Sequence, residues 1–248
     1  NIKLIIENND KNKKYDALII STPPKTHLEL LKKNINKSNV FLIEKPLCEP
    51  NLRTVNEFEK LIKKYKNKLF LCGYNHRLFP STQKLLEIIK KNKLEKNISV
   101  IEVNFKENTS GFLKAHKWFK SLSDSYLSKT SLGGGSLLEH SHALNLGQLL
   151  VNDNLKQLKL FDSNMNFLKT KNQFYDYDAK IDFVSGSKLL KIQQNFTTLP
   201  VEKNIKVLGK NFYIELIYNY KNNENKIINI DKKLKKIKNF YFQKTRAD

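Results

Sequence analysis

The sequence predicts an α/β region built on a parallel sheet, followed by an α+β domain with a large, mainly antiparallel sheet. Three observations carry this. Up to about residue 91, short apolar runs alternate with amphipathic helical stretches, a rhythm that requires crossover connections and therefore parallel strands. Further along, strand-like runs follow one another directly, with turn signals such as Ser185-Gly186 and Asn222-Asn223 between them. The 248 residues suffice for one large or two small cores without a covalent or metal staple. The change of pattern divides the chain into domains 1–75 and 76–248.

The elements follow in order. Residues 16–21, DALIIS, read as a buried parallel strand ending in turn residues. Thr26 is the expected N-cap of a helix over 27–36, with Leu28, Leu31 and Ile35 along one stripe. A strand over 40–43 stops at Glu44-Lys45-Pro46. A helix over 51–66 is expected to turn Val55, Phe58, Leu61 and Ile62 inward, and a strand over 68–72 and a helix over 81–91 complete the first pattern. Residues 98–105 alternate as a half-exposed strand. A polar, aromatic-dotted stretch then leads to Gly133-Gly134-Gly135, which opens one helix to about residue 151. Strands are expected near 155–162, 178–184, 188–197, 203–208, 211–218 and 226–230.

Composition narrows the function classes. Forty-five basic and 24 acidic residues leave a net charge of +21, yet arginine stands only at 53, 77 and 246, so 42 of the basic residues are lysine. Nucleic-acid readers favour arginine for bidentate contacts. Lysine spread along a chain rich in Asn and Ile reads instead as A/T-rich codon usage on a solvated surface, and no nucleic-acid partner is expected. No apolar run approaches the ~20 residues of a membrane span, and no basic-then-apolar leader begins at Asn1. Cys48 and Cys72 show neither a CxxC nor a Cys/His ligand spacing, so neither a disulfide framework nor a metal site is expected. The expectation is a reduced, cytoplasmic protein without a membrane partner.

Three constellations carry chemistry. Ser21-Thr22-Pro23-Pro24 follows a strand and precedes a helix, at the carboxyl edge of a parallel sheet where ligands bind; the plainer reading is an ordinary turn. Glu44-Lys45-Pro46 ends the next strand, where a lysine could stabilise charge on a substrate oxygen; the plainer reading is one more surface lysine. In GGGSLLEHSH and the three residues after it, Glu139, His142 and Asn145 recur every third residue and would share a face of a continuous helix. A histidine there suits proton transfer, or is an interior hydrogen-bonded group, with His140 the poorer candidate.

The segments DALIISTPPKTHLELL, FLIEKPL, LCGYNHRLFPSTQKL and GGGSLLEHSH, in this order, resemble the glucose–fructose oxidoreductase and inositol dehydrogenase (Gfo/Idh/MocA) family. GYNHRLFP, with the Trp118-to-Tyr126 spacing, is most similar to a branch linked to surface-polysaccharide and nucleotide-sugar pathways. The resemblance implies a Rossmann-like first domain and an NAD- or NADP-dependent oxidoreductase acting on a sugar, nucleotide-sugar or cyclitol hydroxyl. It implies Lys45, His142 and Glu139 as catalytic residues. Ser21, Thr22, Pro23, Pro24, His27, Glu44 and Lys45 would lie at the cofactor, and Tyr74, Asn75, Arg77, Trp118, Tyr126 and Asn145 at the substrate. A homodimer or homotetramer is expected, since open antiparallel faces often pair. Family members begin with a glycine-rich pyrophosphate turn. Asn1 to Tyr15 contains no glycine, so the chain reads as lacking its first β-α units. The alternative is a non-catalytic relative that binds a sugar or a partner protein.

Overall fold

The computed structural model describes residues 13–115, 117–151, 158–219, 224–233 and 235–243. Contacts divide the chain into two units, Asn1–Gly73 and Tyr74–Asp248. The first 12 residues, where the sequence offers no glycine-rich turn, lie outside the described residues, as does the predicted start of a strand at 155–157.

The first unit is a parallel sheet of β1 (Leu18–Ile20), β2 (Val40–Ile43) and β3 (Leu69–Cys72), in that order. Ile20, Ile43 and Cys72 stand in register, so the three strands end level. Helices α1 (His27–Asn34) and α2 (Leu52–Lys64) make the crossovers. Sequential strand order with right-handed crossovers puts both on one face. Leu31 and Phe41 lose all exposure there, beside Ile43 and Phe58. Ile19, Leu69 and Leu71, on the other face, are exposed.

Two local expectations are corrected. Thr26 does not cap α1 with its side chain; a 3-10 turn over Pro24–Thr26 precedes the helix, and the Thr26 hydroxyl turns back to Pro23 O at 2.8 Å. On α2, Val55 and Ile62 are 45% and 39% exposed while Phe58 is buried. Both lie roughly 40–60° to one side of Phe58, whereas Leu61 and Tyr65, on the other side, pack against the core. The helix is thus rolled toward that side. Asn51 caps α2 by accepting from Arg53 N at 2.9 Å. Asn51→Ala is expected to cost about 1 kcal/mol, read as a lower denaturation midpoint of the whole chain.

The second unit opens with α3 (Pro80–Lys91), β4 (Ile98–Lys106) and α4 (Ser110–Ala115). After three 3-10 turns come α5 (Ser136–Glu139), α6 (His142–Val151), β5 (Lys159–Lys169), β6 (Phe174–Ser185), β7 (Lys188–Asn195) and β8 (Glu202–Gly209). The remaining strands are β9 (Phe212–Ile217), β10 (Glu224–Asp231) and β11 (Lys236–Gln243). The eight strands form one sheet, β11-β10-β9-β8-β4-β7-β6-β5, in which only the described β4–β7 pair is parallel. α3 and α6 cover one face, burying Leu85, Leu146, Ile101, Val103, Ile192 and Ile214 almost completely. Gly147 lets α6 approach β7, since a Cβ there would stand 2.7 Å from a Leu190 methyl. The edge strand β11 lies outside the predicted segments, because KIKNFYFQ carries lysines on an exposed edge and lacks a clean apolar alternation. No helix among the described residues is long and apolar enough to cross a membrane.

Candidate active site

In the first unit, the level strand ends bring Ser21, Glu44 and Gly73 into one row at the carboxyl edge. The ladder continues into this row, with Glu44 N on Ile20 O at 2.9 Å and Gly73 N on Ile43 O at 2.8 Å. Ser21, Thr22 and Pro23 are exposed, while Pro24 is buried as the first residue of the 3-10 turn. Since the single Thr26 proton goes to Pro23 O, the 2.7 Å contact between the Thr22 and Thr26 hydroxyls has Thr22 as donor. His27 is fully buried, with Nε2 2.6 Å from Thr22 O and Nδ1 3.1 Å from Leu47 O. It ties the turn after β1 to the segment after β2.

Glu44 folds over Gly73. A Cβ on Gly73 would stand 2.7 Å from Glu44 Oε2, and that oxygen accepts from Lys45 N at 3.3 Å. Lys45 is half-buried at the head of this edge. Burial pushes the Cys48 and Cys72 thiols up to about 11. Both stay protonated at neutral pH and are poor nucleophiles.

In the second unit, the triple glycine is a packing device. Gly133 and Gly135 take φ values of 93° and 104°, which side chains strongly disfavour. A Cβ on Gly134 would meet Tyr126 O at 2.2 Å, and one on Gly135 would meet Asp176 Oδ1 at 1.9 Å. Asp176, on β6 and only 3% exposed, accepts from Ser136 Oγ and from Leu137 N, both at 2.7 Å. Burial raises its carboxyl above the ordinary value, and these hydrogen bonds oppose the rise without cancelling it. The sequence reading missed Asp176; an acid within a run of Phe, Tyr and Ala was its only local signal.

The helix predicted from the triple glycine to residue 151 is broken. His140 ends α5 with φ −91° and ψ 22°, and α6 starts at His142. The His140 carbonyl accepts from Ala143 N at 2.8 Å and from the buried Gln194 amide of β7, which pins the break. Glu139 and His142 therefore lie on different helices and share no helical face. Glu139 instead accepts from the Tyr126 hydroxyl at 3.0 Å, joining two residues that the sequence singled out.

His142 is 9% exposed. Tyr74 meets its ring edge-on at a centroid distance of 5.6 Å, and His76 lies against it at 4.3 Å. His76, which stood unselected inside GYNHRLFP, also packs on Phe79, Phe105 and Tyr218. Asn145, one turn beyond His142 on α6, has a buried Oδ1 without a hydrogen-bond partner among the described residues. Such an atom is costly unless a ligand or water completes it. His140 lies elsewhere, edge-on to Phe196 and 3.7 Å from Glu107. Asn75, Arg77 and Trp118 are exposed, Asn75 contacting the His76 ring nitrogen at 3.0 Å and Trp118 leaning on Phe119.

Residues 6–74 match the family described as an oxidoreductase family with an NAD-binding Rossmann fold (GFO_IDH_MocA). No curated protein matches the chain. Among solved structures, aldose-aldose oxidoreductase from Caulobacter crescentus, complexed with glycerol, aligns with a TM-score of 0.71 and 11% identity over 94% of this chain and 64% of that one. An inositol dehydrogenase homolog from Azotobacter vinelandii, complexed with NAD+, aligns with a TM-score of 0.70 and 12% identity over 91% of this chain and 56% of that one. A 3-ketoreductase from Actinomadura kijaniata, in complex with NADP, gives 0.67 and 11% over 92% and 64%. The chain spans 56–66% of the length of such structures. The parallel sheet followed by the large mixed sheet is the architecture they share with it. Residues 6–74 thus match the Gfo/Idh/MocA oxidoreductase family, and the chain as a whole has the fold of the solved structures it aligns with.

Proposed function

We propose that the protein is a cytoplasmic NAD(P)-dependent oxidoreductase that transfers hydride between a nicotinamide and a sugar, nucleotide-sugar or cyclitol carbon. The observation that carries this reading is the setting of His142: a nearly buried imidazole at the head of α6, between Tyr74 and His76, followed one turn later by the incomplete Asn145 Oδ1.

The row formed by Ser21, Glu44, Lys45 and Gly73 suits the nicotinamide end of a dinucleotide. Gly73 leaves its edge open to Glu44, and the exposed Ser21 and Thr22 stand where parallel sheets bind ligands. A bound nicotinamide would supply the hydride acceptor or donor. His142 takes the substrate hydroxyl proton as the carbon gives up its hydride, and returns it in the reverse direction. Lys45, at the carboxyl edge of the first unit, is suited to donate to a substrate oxygen and stabilise charge that develops on it. Asn145 Oδ1 accepts from a neighbouring substrate hydroxyl. Glu139, held by Tyr126, orients the segment that carries His142. Copies of the chain are proposed to assemble as a homodimer or homotetramer through the sheet face opposite α3 and α6.

The test is turnover of NAD+ and NADP+ with a panel of aldoses, nucleotide sugars and cyclitols, alongside calorimetric titration of both dinucleotides. Dinucleotide binding with substrate-dependent reduction supports the proposal. Absence of both in a protein that carries the glycine-rich pyrophosphate turn overturns it. Lys45→Met is expected to lower kcat about a hundredfold and to leave dinucleotide affinity within a few-fold of the parent.

A further inference from the structure

The second unit holds a cavity away from His142. It encloses about 1070 Å³ among the C-terminal end of α3, the start of β4, the β8–β9 turn and the facing ends of β10 and β11. Phe212 lines it at the start of β9, whereas Tyr218, just past the end of β9, touches His76 beside His142. A strand of that length separates the two places by roughly 20 Å.

The cavity combines an apolar floor with a basic wall. Ile88, Ile98 and Phe212 are buried core residues that also line it, and Phe240 lies partly buried beside them. Seven of the 20 lining residues are lysines, against 42 of 248 in the whole chain, so lysine is about twice as frequent here. The two lining carboxylates match the chain-wide share of 24 in 248, so acids have not increased to balance them. One of those acids, Glu87, is taken by Lys84 at 2.9 Å, and the same ammonium stands 5.4 Å from the Phe240 ring centre. Lys91, Lys96, Lys210, Lys236 and Lys238 form no salt bridge with a described residue. Ammonium groups gathered on one concavity repel each other, and a multiply charged anion relieves that repulsion. Seven lysines from four separate stretches of the sequence thus converge here in space.

We propose that this cavity is a binding site for a nucleoside polyphosphate, with the base against the Ile88–Phe212–Phe240 floor and the phosphates among Lys210, Lys236 and Lys238. A bare polyanion would use only the wall, and an uncharged nucleoside only the floor. The site is independent of the redox reading of His142.

The experiment is calorimetric titration of the intact chain with ATP, inorganic triphosphate, adenosine and a short single-stranded oligonucleotide. ATP is expected to bind tightest, with triphosphate and adenosine each weaker by about tenfold or more. Replacing Lys210, Lys236 and Lys238 together by glutamine should weaken ATP at least about tenfold, and replacing them by arginine should preserve it. All three lysines are exposed, and a thermal melt reports whether the fold is kept. Should the glutamine variant unfold, raising the salt concentration on the parent replaces it, with ATP affinity falling as the charges are screened. Unchanged ATP affinity in the folded glutamine variant, no salt dependence, equal affinity for triphosphate and ATP, or displacement of ATP by a tighter-binding oligonucleotide would each overturn the proposal.

Discussion

His142→Asn lowers kcat by about 10²–10⁴-fold, the loss expected when a positioned acid/base is removed. Asparagine keeps a polar, planar group at the head of α6 but has no ring nitrogen to take a proton. The neighbours Tyr74 and His76 remain, so the loss should appear in kcat and not in the stability of the second unit. Tyr126→Phe is a graded companion. It removes the 3.0 Å hydrogen bond to Glu139 while leaving His142 in place, and a loss nearer tenfold is expected. Steady-state rates with the best substrate of the panel measure both. Turnover of His142→Asn within about threefold of the parent would remove His142 from the chemistry.

Gly135→Ala destabilises the second unit by about 4 kcal/mol or more. A side chain at φ 104° is strained by roughly 1–2 kcal/mol. The new Cβ also falls 1.9 Å from Asp176 Oδ1, so the carboxylate must leave Ser136 and Leu137. Hydrogen bonds to a charged group are worth about 1.5–3 kcal/mol each, and their loss sets the scale. Denaturant unfolding of the full chain measures it, and a cost below about 1 kcal/mol would show that the loop gives way freely. Asp176→Asn distinguishes strain from charge. Because burial raises the Asp176 carboxyl, the folded chain holds the proton more tightly than the unfolded chain. That contribution to stability is complete below the unfolded value and is lost as pH rises through the folded one. Asparagine has no such titration, so Asp176→Asn should gain stability relative to the parent as pH rises across that window.

Local patterns were sufficient for much of the fold. The strand at Val40–Ile43 and the helix at Pro80–Lys91 follow from an apolar run and an amphipathic stripe, each complete within its own segment. The triple glycine marks a close approach without any partner in view, Glu139 and His142 stand out by residue type and spacing, and Tyr126 by the family resemblance alone. The roll of α2 was not legible. Phe58, Val55 and Ile62 are equivalent to a hydrophobic pattern, and only the surface beneath the helix decides which of them is buried.

What the sequence by itself determined is the order of elements and the carboxyl-edge position of Ser21 and Lys45. What only the tertiary structure decided is how those residues are held. Asp176 reaches Ser136 across 40 residues, and Gln194 reaches the His140 carbonyl across 54, where it breaks a helix that periodicity alone would continue. Periodicity reports which face of a segment is apolar, because burial is a property of each residue's own surface. A hydrogen bond between distant segments depends on sheet register and on one atom lying within about 3 Å of another, and no pattern along a chain encodes that distance.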